Sequence, residues 1–319
     1  MPRLPRRTLL GGLLAAPSLA SGQGAFPSRP VRLIVPFAPG GSADVVARIT
    51  ALGLQEALGQ PVVVENRGGS GGVIGAEAAL AAPADGHTLI FHTLSSAVLN
   101  AGLYPRLSFD VRRAFVPVAL VGILPNIVMV GPALPVRSLG DLIALMRARR
   151  VTYASSGAGT ITHLSAQLLA TRVGVEATHV PYRGSGPAFA DLLNGTVDMM
   201  VDTLASVIPA VRAGQVRGLA VTTAGRSPAL PEVPTAQEAG VPGYETYNWH
   251  AVFAPAGTPA PILAQLEAAT LAAVRAMDRR LQEAGVEPRP EGAAALLPFW
   301  EAQFALWLPI IRASGATAD

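Results

Sequence analysis

Twice along this chain a short apolar run gives way to a turn rich in Gly, Ser and Thr, and the turn opens a helical pattern. The first turn is Pro36–Asp44 and the second is Ala154–His163. A turn of this kind presents backbone N–H groups at the positive end of a helix dipole. That arrangement binds anions without any charged side chain. Glycines at Gly40, Gly41, Gly157 and Gly159 let a ligand come close to the backbone, and Ser42 and Thr160 add hydroxyl donors. In α/β sheets ligands sit beyond the carboxyl ends of the strands, where such turns lie. One turn in each half of the chain would make two jaws on one ligand. Either turn alone is equally an ordinary capped helix start.

Other chemistry fits less well. Gly68–Gly72 matches G-x-S-x-G, the nucleophile elbow of serine hydrolases, with Ser70 as nucleophile and Asp202 and His250 in the required order. Four of its five residues are Gly, so the match is cheap and a flexible loop is the better reading. Neither G-x-G-x-x-G nor a P-loop occurs. The chain has no Lys, which removes Schiff-base chemistry. It has no Cys, and its five His show no metal-ligand spacing, so no metal or cofactor is expected. His163 stands out because it lies in the first turn of the second candidate binding helix. Asp198 and Asp202, four apart on one strand, share a face. One of them accepting hydrogen bonds from a ligand fits better than a pair doing acid–base work. On its own, Trp249 reads as a core or interface residue.

The elements that would position these residues alternate between strand and helix. Val31–Pro36, Val62–Glu65 and Thr88–His92 read as buried strands, separated by helices over Ala43–Leu58 and Val73–Ala82. The rhythm restarts near residue 127. Strands at Val128–Val130, Val151–Ala154, Thr178–Pro181, Val197–Val201 and Gly218–Thr222 alternate with helices at Leu139–Arg147, Thr160–Arg172, Pro187–Leu193 and Leu204–Ala213. Ser227–Gly243 reads as a long surface connection. Val252–Ala254 reads as a last strand, followed by helices at Ile262–Ala276, Arg279–Ala284 and Ala293–Ile311. Such alternation predicts parallel sheets with right-handed crossovers.

The chain has 319 residues, half of them hydrophobic and 14% charged, and its mean hydropathy is +0.40. This length suggests two domains. Residues 1–20 read as an export signal. Arg3, Arg6 and Arg7 are followed by the apolar Leu9–Ala16 and the small-x-small site Ser18-Leu19-Ala20. The Arg6-Arg7 pair resembles a twin-arginine signal, so export by that route or by the general secretory route is expected. No apolar run reaches the ~18 residues of a membrane span. The formal charge of +3 vanishes once those three Arg are removed. No basic cluster interleaved with aromatics is present, so a nucleic-acid partner is not expected.

Seven collinear segments carry a family resemblance. They are Pro30–Asp44, Pro61–Arg67, Asp85–Leu89, Tyr153–Gly157 with Thr160 and His163, His179–Gly184, Arg226–Thr235 and Ala254–Pro259. Together they resemble the substrate-binding proteins of tripartite tricarboxylate transporters, also called the Bordetella uptake gene family. The resemblance implies a two-lobed type II periplasmic binding fold with two crossing segments between the lobes. Residues 26–124 and 225–319 would form the first lobe and 125–224 the second. It implies a periplasmic, non-enzymatic monomer that captures a small organic acid for inner-membrane transporter subunits. A periplasmic sensor feeding a membrane signalling partner is the alternative.

The family's pincer loops fall on Phe37, Gly40, Gly41, Ser42 and Asp44, and on Ser155, Ser156, Gly159, Thr160 and His163. They would hold one ligand carboxylate. Thr93, Ser95, Pro181, Gly184, Asp202 and Trp249 would meet the ligand's far end. The chain departs from the family's usual pattern at His92, Arg183, Thr203 and His250-Ala251.

Overall fold

A computed structural model describes residues 26–314, 317 and 318; the expected export signal at 1–20 lies outside the described residues. The chain begins β1 (Val31–Val35), α1 (Ser42–Leu58), β2 (Val62–Asn66), α2 (Val73–Leu80) and β3 (Thr88–Thr93). Two short helices follow, α3 (Asn100–Leu103) and α4 (Val111–Ala114), and then the long strand β4 (Phe115–Val130). Next come α5 (Leu139–Ala148), β5 (Val151–Ser155), α6 (Ile161–Arg172), β6 (Ala177–Pro181) and α7 (Ser185–Leu193). After β7 (Met199–Thr203), α8 (Ile208–Arg212), β8 (Arg217–Val221) and β9 (Tyr247–Pro255), the chain ends in α9 (Ala260–Ala276), α10 (Asp278–Glu283), β10 (Glu287–Gly292) and α11 (Ala293–Ser314).

The strands run in the order β2-β1-β3-β9-β4-β7-β5-β6, with β8 and β10 each pairing β4. β1 is parallel to β2 and β3, and β5 is parallel to β6 and β7, as strand–helix alternation requires. β4 belongs to both halves. Its Phe115–Pro125 stretch pairs antiparallel with β9, while Asn126–Val130 pairs with β7 and β8. A strand buried on both faces reads as an unbroken apolar run, and this is why β4 hides its length from periodicity. Its register slips between Pro117 and Ala119 and again between Leu120 and Gly122. Pro and Gly are tolerated at such irregularities.

Side-chain alternation assigns each sheet two cores. In the first lobe Val31, Leu33 and Val35 of β1 pack under α1 and α9, while Ile34 faces the opposite side with Trp249, Trp300 and Phe304. In the second, Val128 and Val130 pack with Leu139 and Leu169, while Ile127 and Met129 face Leu192 and Leu204. Each such buried Val or Leu contributes roughly 1.5–3 kcal/mol. α11 has the length and hydropathy of a membrane-crossing helix, but Leu296, Trp300 and Phe304 are buried in the first lobe. Trp300 Nε1 donates to Ala97 O at 3.0 Å.

Two expectations need correction, and one strand had no expectation at all. The first lobe does not resume at residue 225. Ala229, Leu230, Val233, Ala236, Val241 and Tyr244 bury into the second lobe's cores, and Tyr244 Oη donates to Ser165 O. The chain returns to the first lobe along β9, once Tyr244 has filled its place in the second. Leu204–Ala213 is not one helix: a 3-10 turn over Leu204–Ser206 precedes α8. The Glu287–Gly292 stretch, with its two prolines, is an edge strand against β4.

Candidate functional site

The first jaw is built where β1 runs into α1. Gly41 is the extended N-cap of α1 and no side chain caps the helix. The first-turn amides, which lack intrahelical acceptors, are left for another partner. The turn is fixed from behind. Asp44 Oδ2 accepts from Gly40 N at 3.0 Å, and Asn66 Nδ2 donates to Phe37 O at 3.1 Å. Burial would raise the Asp44 carboxyl, but Arg48 and the Gly40 N–H hold it below its ordinary value.

The second jaw joins β5 to α6 and is tied together by its own hydroxyls. Thr160 Oγ1 donates to Gly157 O at 2.7 Å, Ser155 Oγ donates to Gly157 O at 3.0 Å, and Thr162 Oγ1 accepts from Ser156 N at 3.0 Å. His163 Nδ1 accepts from Gly159 N at 3.0 Å, which fixes the neutral tautomer with its proton on Nε2. Behind it His179 stacks on His163 with centroids 3.8 Å apart, and His179 Nε2 lies 2.7 Å from Ser155 Oγ. These bonds preorganise the turn.

A third helix start completes the site. α7 begins at Ser185, whose Oγ donates to Asp202 Oδ1 at 2.8 Å. Asp202 also accepts from Ser206 Oγ and from Thr203 N. Burial pushes its carboxyl up to about 6 despite these three donors. Asp198 lies elsewhere, bridged to Arg149, so the two carboxylates do not act as a pair.

Phe37, Gly41, Ser42, Ala43, Thr93, Ser95, Ser156, Ile161, Thr162, Ser185, Asp202, Thr203 and Asn248 line the cleft between these elements. Its walls come from both lobes and are drawn together. A Cβ on Gly184 would meet Ala38 N at 3.0 Å, and one on Gly159 would meet Leu103 Cδ1 at 2.7 Å. The cleft therefore offers three helix N-termini and a ring of hydroxyls, with Asp202 its only charged lining residue.

The structure brings Phe37, Gly41, Ser42, Thr93, Ser95, Ser156 and Asp202 together at this cleft. Gly40, Asp44, Ser155, Gly159, Thr160 and His163 are not lining residues but take part in the bonds that hold the two turns. Three other expected residues neither line the cleft nor hold a jaw turn. Pro181 is exposed at the end of β6, and Gly184 packs on Ala38. Trp249 is buried against Phe299 of α11. On β9 the side chains alternate, so Asn248 faces the cleft and Trp249 the core. Sequence reasoning missed Ala43, Ile161, Thr162, Ser185, Thr203 and Asn248. Ala43, Ile161 and Thr162 lie inside the two turns read from the sequence, and Ser185 had a signal of its own, the Gly184-Ser185-Gly186-Pro187 helix start. The elbow reading also fails. Ser70 is exposed with no side-chain hydrogen bond, and neither ring nitrogen of His250 has a partner.

Two α/β lobes, crossed twice by the chain and converging on a cleft ringed by helix N-termini, define a solute-binding protein of the type II periplasmic binding fold. Residues 46–316 match the model of the tripartite tricarboxylate transporter family receptor, and the chain belongs to that family. It is 42% identical to protein BugT of Bordetella pertussis over 81% of each chain. Among solved structures it resembles R. palustris Rpa4515 with adipate, with a TM-score of 0.88 and 40% identity over 92% of this chain and 99% of that one. It also resembles MatC from Rhodopseudomonas palustris with bound malate, with a TM-score of 0.82 and 34% identity over 90% of this chain and 100% of that one.

Proposed function

We propose that this protein is the periplasmic receptor of a tripartite transporter and closes its lobes on a small organic acid. One carboxylate lies between the starts of α1 and α6, met by the uncapped amides of α1 and by the Ser42, Ser156 and Thr162 hydroxyls. The observation that carries this reading is the convergence of α1, α6 and α7 on one cleft whose lining holds no cation. Helix N-termini supply the field that a side-chain charge would otherwise provide. Carboxylates bound to two relatives, adipate and malate, support the ligand class. Closure is a hinge movement about the two crossing segments. The chain leaves through an export signal over residues 1–20, acts as a monomer and catalyses no reaction.

The test is a thermal-shift screen of the purified protein against mono-, di- and tricarboxylates. A ligand at 100 times its Kd stabilises the fold by about 2.7 kcal/mol. The expected hit is an acid whose effect disappears in Gly41→Asp, which adds a negative charge at the first jaw. Equal binding by that variant would refute the jaw assignment.

A further inference from the structure

His250 does not itself line the cleft but adjoins residues that do, and among the described residues its ring has no hydrogen-bond partner. It is fully buried, and neither Nδ1 nor Nε2 has a hydrogen-bond partner. A buried polar group left in this way costs roughly 1–3 kcal/mol, so it calls for a reason. The strand register supplies one. His250 lies directly opposite Thr93, and two residues along the same face of β9 is Asn248; Thr93 and Asn248 both line the cleft. One row deeper on that face, Phe91 and Val252 are core, and the Phe91 and His250 rings meet edge to face at 5.4 Å. His250 therefore occupies the last row of core before the cleft. On its other side β4 places Gly122 opposite it, and Val286 Cγ1 and Glu287 O lie 2.5 Å from where a Cβ on Gly122 would stand.

His92, one register pair away, makes a contrast. It is equally buried, but its Nδ1 pairs with Ser96 Oγ at 2.9 Å and its ring is clamped between Phe115 and Phe253. It is held as a packing residue on the opposite face.

We propose that His250 reads the far end of the bound acid, pairing through its ring nitrogens with a second oxygen function on the ligand. This rests on the carboxylate reading above and adds to it. The jaws hold one carboxylate, and the ligand end reaching His250 carries a hydroxyl or carboxyl oxygen, not a methyl. An apolar end would leave both nitrogens unpaired, whereas an oxygen satisfies at least one. A site built to hydrogen-bond a substrate group discriminates against the analogue lacking it more sharply than an apolar pocket can.

The experiment measures Kd by titration calorimetry for acids of one chain length that end in methyl, hydroxyl or carboxylate. The proteins are wild type, His250→Leu and His250→Asn. In wild type the oxygen-ended acids bind about two- to tenfold tighter than the methyl-ended one, the worth of one neutral hydrogen bond. His250→Leu abolishes or inverts that preference while still binding the methyl-ended acid, which shows that the fold and jaws are intact. His250→Asn, which keeps a donor and an acceptor, retains part of the preference. An unchanged preference in His250→Leu overturns the inference and leaves the carboxylate reading standing. Failure of every acid to bind wild type overturns both.

Discussion

The backbone N–H of Ile161, first residue of α6 in the second lobe, donates to Ser95 Oγ of the first lobe at 3.0 Å. Both residues line the cleft. The bond uses a helix-start amide that has no acceptor within its own helix, so it forms only when the lobes approach. On the proposed closure, Ser95 would hold the lobes together as well as shape the cleft. A neutral hydrogen bond contributes about 0.5–1.5 kcal/mol net. Ser95→Ala should weaken ligand binding up to about tenfold by calorimetry. It should also shift the unliganded protein toward a larger radius of gyration in small-angle scattering. An unchanged affinity and radius would show that the bond does not contribute to closure.

The two jaws respond differently to a methyl group. Gly41 has ordinary extended backbone, and an added Cβ would lie 3.5 Å from Ser185 Cβ, normal contact. Gly159 sits at φ +75, and its Cβ would fall 2.7 Å from Leu103 Cδ1. Gly41→Ala should therefore leave stability within about 0.5 kcal/mol. Gly159→Ala should lose roughly 1 kcal/mol or more through left-handed strain and the clash. Urea denaturation of both variants measures the contrast. Equal stability would mean that the second jaw is not held against α3.

The jaws were legible because turn chemistry is local: Gly, Ser and Thr before an apolar period mark a helix start wherever the rest of the chain goes. What sequence reasoning misassigned depends on long-range pairing. Asn248 and Trp249 are neighbours, and only the register of β9 against β4 decides which one faces the cleft. The edge strand Glu287–Gly292 was hidden because two prolines make a strand invisible to propensity. The return crossing was placed too early because Pro- and Gly-rich composition resembles a surface connection, although Tyr244 anchors that segment in the second lobe's core.

Acid should loosen the second jaw. Burial lowers His163 to about 4, and burial together with the charge on His163 lowers His179 to about 3, from an ordinary 6.5. His92 and His250 are likewise lowered to about 3 by burial. Below pH 6.5 the unfolded chain takes up protons that the folded one refuses, so stability falls as pH drops toward 4. Asp202, raised to about 6 by burial, acts in the opposite sense between pH 6 and 3.8 but is one group against four. The stacked pair cannot carry two charges at 3.8 Å without opening the bonds to Gly159 and Ser155. Tm should decline between pH 6.5 and 4, and His179→Gln should reduce the slope. A flat profile in wild type would contradict the assigned protonation states.

Where the two crossing strands meet, one side chain joins them. Asn126 of β4 donates from Nδ2 to Ser165 Oγ and Thr246 Oγ1, at 3.3 and 3.1 Å, and its Oδ1 accepts from Thr203 Oγ1 at 3.2 Å. Asn248 Nδ2 in turn donates to Thr203 Oγ1 at 3.1 Å, which carries the network to the cleft. All of these residues are buried, so removing the amide strands several hydroxyls out of reach of water. Asn126→Ala should destabilise the protein by roughly 1–3 kcal/mol per group left unpaired. Asn126→Asp should fare no better, because a carboxylate cannot donate to Ser165 and Thr246. Chemical denaturation gives the stability change, and calorimetry on the folded fraction gives the binding change. The hinge position predicts that both fall together, since the same network fixes β4 and aligns Thr203 and Asn248 at the cleft lining. Loss of stability with affinity intact would make Asn126 a core residue with no part in aligning the cleft.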